Sequence, residues 1–143
     1  MAIGNGFMAH GGKSIRGARI FTDAAGQTHV GEFEYKGEPA SGTEDSIVPK
    51  GATTYFEAPA VGVLVRGFPA HFTTGYHNDP AHQHQLTFMI DGTAAGGCMD
   101  GSTFLLNPGN MAFVEDPVGT GHTAHDEGGT GFTQLFVSMP SSE

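Results

Sequence analysis

The chain has 143 residues, 23 of them glycine, and sets 6 lysine and arginine residues against 15 aspartate and glutamate, for a formal net charge of -9. That charge repels phosphates and no basic run offsets it, so nucleic-acid binding is not expected. No apolar run approaches the ~20 residues of a membrane helix, and a single cysteine, Cys98, leaves no intramolecular disulfide.

These features predict one domain over 1–143 in a reducing, cytoplasmic setting, with no membrane partner. The opening MAIGNGFMAHGGK lacks the charged-then-apolar design of a signal peptide and reads as a tail over about 1–13. Cys98 reads as a small buried hydrophobe.

In chain order, Ser14 to Thr22 predicts a first strand and DAAGQ a turn. His29 to Tyr35 alternates, with Gly31, Phe33 and Tyr35 on one face and Val30, Glu32 and Glu34 on the other. Glu38 to Gly51 is polar and acidic, a surface loop or an arm crossing to a partner subunit. The core barrel is expected over about 52–139. Its strands are Thr53 to Ala58, Val61 to Phe68 and His71 to Tyr76, parted by Pro59 and Pro69, which cannot donate to a ladder. Gln83 to Asp91 follows, and Ala94 to Met99 and Ser102 to Leu106 flank the hairpin signal Asp100-Gly101. Met111 to Glu115, His122 to His125 and Phe132 to Met139 complete the set. No stretch carries a helical period, so the fold class is all-β.

Of the 8 histidines, six cluster between His71 and His125: His71, His77, His82, His84, His122 and His125. Neutral imidazole is the commonest metal ligand. His82 and His84, two apart, would share a strand face with side chains about 7 Å apart, close enough to grip one ion. His10, His29 and His71 read as surface or hydrogen-bonded residues.

The segment GYHNDP to IDG, then DG, PGN and VEDPVGTGH, resembles the two sequence motifs of the cupin superfamily, roughly over Val61 to Val137. The second motif is the more specific match: Pro108, Gly109, Glu115, Asp116, Gly119, Gly121 and His122. The resemblance implies a cupin β-sandwich or barrel of jelly-roll type, a double-stranded β-helix, in a single domain. It also implies a homodimer, in keeping with an N-terminal third that alternates but has no obvious sheet of its own to complete. It further implies a divalent metal ion, with His77 and His122 as ligands. Counting back from Gly92, Gln85 takes the slot where many relatives have an acidic residue, while His82 and His84 lie too close to Gly92 for the usual spacing and stay as alternates.

Strand parity sets two expectations against each other. If Gln85, Thr87 and Met89 face inward, then His82, His84, Leu86, Phe88 and Ile90 face outward, yet the apolar Leu86, Phe88 and Ile90 would suit the interior.

A site of neutral donors leaves a metal its Lewis acidity, which favours lyase, isomerase or cyclase chemistry on a small organic molecule. Glu115, Asp116 and His125 are the candidate general acids and bases. The Glu115-Asp116-Pro117 run also reads as a turn. An Fe(II)-dependent dioxygenase and a non-catalytic binding barrel are the alternative readings, and the metal can be Zn, Fe, Mn or Ni. Eight phenylalanines, Phe56 to Phe136, read mainly as core, with some lining a mouth for a partly apolar or aromatic substrate.

Overall fold

The computed structural model describes residues 2–4, 14–39, 52–78 and 83–140. Among them the strands are β1 (Ala2–Gly4), β2 (Ser14–Thr22), β3 (Thr28–Lys36), β4 (Glu38–Pro39), β5 (Thr53–Thr54), β6 (Gly62–Phe68), β7 (Gln83–Asp91), β8 (Ala94–Gly97), β9 (Thr103–Leu106), β10 (Met111–Glu115), β11 (His125–Asp126) and β12 (Phe132–Pro140). No helix forms among the described residues, so none is long and apolar enough to cross a membrane. The fold is an all-β sandwich, not a closed barrel.

One sheet has the order β3-β2-β10-β7-β12-β6 and the other β1-β9-β8-β11, with β4 and β5 forming a separate small pair. Glycine and proline set the turns between strands. Gly26, Gly92, Gly101 and Gly109 take positive φ, a region that costs glycine nothing. The β2–β3 hairpin pairs through β2 with β10 in parallel, Ala18 opposite Ala112 and Ile20 opposite Val114. The N-terminal third therefore completes a sheet of its own chain, and its alternation no longer argues for a partner subunit.

Around β2, β10 and β7 the large sheet is covered on both faces. Towards the second sheet it presents Ala18, Ile20, Met89, Ala112 and Val114, which join Phe104, Leu106 and Phe132 in one core. On its other face Ile15, Phe33, Leu86, Met111, Phe113 and Met139 form a second cluster, roofed by Tyr35, Tyr55 and Phe56. Phe113 meets Phe33 edge-on at 4.8 Å and Phe56 at 5.3 Å, the offset geometry aromatic rings prefer.

This second core resolves the parity of β7. Leu86 and Phe88 are apolar because they face the roofed cluster, which leaves Gln85 and Thr87 to face the second sheet.

Several expected strands come out shorter than read: Ala94 to Met99 ends at Gly97, and of His122 to His125 only His125 enters a strand. Thr53 to Ala58 pairs only at Thr53–Thr54. His71 to Tyr76 runs as irregular chain, tied to the sandwich by isolated bridges from Thr73 to His125 and from His77 to His122. Most of the tail over 1–13 and of the acidic stretch from Glu38 to Gly51 lies outside the described residues, as do His10 and His82.

Candidate functional site

A cavity of about 390 Å³ lies between the two sheets. Its size is within the range of small-molecule sites. β7 and β12 supply Gln85, Thr87, Gln134 and Phe136 to its wall, β6 supplies Leu64, Arg66 and Phe68, and the irregular segment supplies Thr74, His77 and Asn78. Most of the lining is apolar. Phe68, Phe72, Phe104, Phe132 and Phe136 line it, whereas Phe56, Phe88 and Phe113 belong to the outer cluster.

His122 also lines the cavity, though only 6% of its surface is exposed. Its Nδ1 lies 2.6 Å from Oδ2 of Asp116, which is fully buried at 0% exposure. A carboxylate can only accept, so Nδ1 carries the proton and Nε2 is left as the atom with a lone pair. His77 is arranged the same way. Its Nδ1 donates to the carbonyl oxygen of Gly75 at 3.1 Å, and its ring centroid stands 4.4 Å from that of His122.

The backbone fixes this pair. His77 and His122 exchange both main-chain hydrogen bonds at 2.9 Å, as opposed residues of an antiparallel ladder do. The loop that delivers His122 is fastened to the β2–β3 hairpin. Thr22 Oγ1 donates to the Val118 carbonyl at 2.6 Å, Thr120 Oγ1 accepts from the Thr28 N–H at 2.9 Å, and Thr28 Oγ1 accepts from the Gly121 N–H at 2.8 Å. Asn78 closes the other side by donating to the Gly119 carbonyl at 3.2 Å.

The structure brings His77, Gln85, Asp116 and His122 to one place and sends Glu115, His84 and His125 elsewhere, while His82 lies outside the described residues. Glu115 follows Val114 on β10, so its side chain takes the opposite face, where it pairs with Arg19 at 2.9 Å. That geometry corrects its assignment as an acid or base of the cavity. His84 shares that outer face, its Nδ1 4.0 Å from Glu115, and is likewise removed as a ligand. His125 pairs with Glu127 at 2.6 Å and does not line the cavity. Asp116 stands behind His122, so it acts on the cavity through that ring.

Two further groups frame the site. Cys98, which bridges to His122 through the backbone, is buried, and burial pushes its thiol up to about 11. His29 lies outside the cavity, its ring nitrogens 2.6 Å from Asp23 and 2.5 Å from Asp100. The hydrogen bonds it donates to Asp23 and then Asp100 raise its pKa.

For a divalent cation the described donors are His77, His122 and the neutral amide of Gln85. Catalytic zinc sites draw three protein ligands from histidine, cysteine and carboxylate. Among the described residues no three such side chains converge. The described donors therefore fall one short of that set. Arg66 escaped the reading of the sequence; its signal was a cation alternating with Leu64 and Phe68 in a strand otherwise without charge.

No protein-family model matches the chain, and no curated protein matches it significantly.

Proposed function

We propose that the chain is an enzyme that transfers protons on a small organic molecule, of the lyase, isomerase or cyclase kind, in the manner of a small cupin. The observation that carries this reading is the contact between buried Asp116 and His122 at 2.6 Å, at the wall of a largely apolar cavity. A base needs a fixed tautomer, a lone pair aimed at substrate and a counter-charge for the cation it becomes. Asp116 supplies the first and last, and Nε2 of His122 is the lone pair. A proton taken from a carbon beside a carbonyl group onto Nε2 leaves an imidazolium facing a carboxylate in a site poor in water, where that attraction is strong.

His77 supports the second half of such a reaction. Isomerisation and elimination both return a proton to a different atom, and the Nε2 lone pair of His77, whose ring stands 4.4 Å from that of His122, can take over the proton that His122 removed and deliver it there. The amide groups of Gln85 and Asn78 offer donors to substrate oxygens within the same wall.

The test is deuterium exchange. Wild-type protein in D2O should speed incorporation of deuterium beside the carbonyl group of at least one member of a panel of 2-oxo and 3-hydroxy acids. His122→Asn should lose that activity, and His77→Asn should lose the return step. Elemental analysis of the same preparations separates the metal-dependent form of this chemistry. A near-stoichiometric ion lost in both variants would overturn the role of these rings as proton carriers in favour of ligands, with iron pointing to dioxygen chemistry. Absence of exchange with the whole panel would favour a binding barrel.

A further inference from the structure

We infer that the substrate of this cavity is an organic carboxylate with an apolar body, and that Arg66 is the residue that selects it. The inference rests on reading the cavity as the substrate site. Among the described residues Arg66 is the only permanently charged side chain in the wall, in a chain whose net charge is -9. Among the described residues no carboxylate pairs with it, whereas Arg19 has its partner in Glu115.

A charge on an edge strand has an ordinary explanation: it deters pairing with another sheet. β6 is such an edge. That role is served by a charge on either face, and here Val63 and Val65 of the outer face are uncharged while the cation, itself solvent-exposed, stands on the cavity face between Leu64 and Phe68. A guanidinium in this position presents a planar fork suited to a carboxylate.

The register places the fork away from the histidines. Arg66 lies opposite Gln134, which pairs with Met89 near the end of β7 where the chain turns into β8. His122 bridges Cys98, beyond the far end of β8. Counted from the turn at Gly92, Met89 lies three residues back and Cys98 six residues on, so about three residues of strand separate those levels, about 10 Å. A substrate held at both ends is therefore elongated, with its carboxylate at the rim and its reacting carbon at the imidazoles. Phe68 and Phe132, stacked at 4.5 Å, and Phe72, 4.8 Å from Phe68, form an aromatic wall beside the anchor. An aryl or alkyl body fits that wall.

The experiment compares matched acids and amides by calorimetry: cinnamate with cinnamamide, 3-phenylpropionate with its amide, and 4-phenylbutyrate with its amide. Wild-type protein should bind at least one acid about tenfold more tightly than its amide, the discrimination expected of one charge-assisted hydrogen bond. Arg66→Gln should erase that preference while leaving amide affinity unchanged, and Arg66→Lys should keep part of it. Equal affinity for acid and amide in every pair would overturn the inference. So would a preference that survives in Arg66→Gln, or no binding of any acid at millimolar concentration. His122→Asn should lose deuterium exchange yet keep the acid preference. An acid preference in wild-type protein that exchanges no deuterium would therefore sink the proton-transfer reading and leave this one standing.

Discussion

A β-carbon added at residue 121 would stand 2.6 Å from the carbonyl oxygen of His77. Gly121 is the residue that lets the second-motif loop lie against the irregular segment, so that His77 and His122 can exchange their main-chain hydrogen bonds. Its φ of 78° adds a second demand that only glycine meets without strain.

Gly121→Ala should therefore separate the two imidazoles. Backbone cannot yield as the tip of a flexible side chain can, so the substitution should cost about 1–3 kcal/mol in urea unfolding and lower the exchange rate further than that loss explains. Gly101→Ala provides the control. Gly101 has a similar φ of 88° with nothing near its missing β-carbon, and it lies in a hairpin away from the cavity wall. It should lose stability but keep exchange in the folded fraction. Equal exchange by both variants would break the link between Gly121 and the histidine pair.

Asp116→Asn should act on chemistry through the tautomer of His122. An amide nitrogen facing Nδ1 would donate to it and move the ring proton to Nε2, removing the lone pair from the cavity. The expected loss is about 10²–10⁴-fold in exchange rate, the range spanned by general-base catalysis. The nitrogen shifts of the His122 ring should reverse in the same variant. Full activity with a reversed tautomer would show that Nε2 of His122 is not the proton acceptor.

Much of this arrangement was legible from residue pattern alone, because period-two alternation and glycine turns reflect local geometry. β2, β7 and β10 coincide with the strands read from sequence, Ser14–Thr22, Gln83–Asp91 and Met111–Glu115. His77, Gln85, Asp116 and His122 are all legible as candidates, the first two by their spacing before Gly92 and the last two because the second motif places carboxylate and histidine within a few residues. The inward face of β7 stayed undecided for a physical reason. Leu86 and Phe88 are as apolar as an inner face because a second core covers them, and its roof, Tyr35, Tyr55 and Phe56, comes from distant parts of the chain. Glu115 and His125 were drawn to the site by nearness in sequence, but one residue along a strand reverses the face. Arg66 was missed because strand order, not composition, decides which face of an edge looks into a cavity.

The His29 cluster should make stability depend on pH. Hydrogen bonds to Asp23 and Asp100 raise the His29 pKa, while His29 lowers that of Asp23, and Ser102 and then His29 lower that of Asp100. A raised histidine contributes fully below its unfolded value near 6.5 and loses its contribution as pH rises through the folded one. The lowered aspartates contribute above about 3.9 and lose theirs as pH falls through their folded values. The difference in melting temperature between wild type and His29→Gln should thus be greatest around pH 5 to 6 and shrink towards pH 9. A difference that grows with pH would mean that the histidine is neutral in the folded protein.

Cys98 should be inert to alkylation while the protein is folded. Thiolate is the reacting form, and burial pushes the thiol up to about 11, so little thiolate is present near pH 8. The side chain is also only 5% exposed, within the core that holds Phe104 and Ala112. Iodoacetamide at pH 8 should label it only at the rate of unfolding, and urea should restore the rate of a free thiol. Because Cys98 bridges His122 through the backbone, opening at this point would also disturb the imidazole pair. Rapid labelling in native buffer, with exchange activity unchanged, would mean that β8 and the His122 segment separate without disturbing the site.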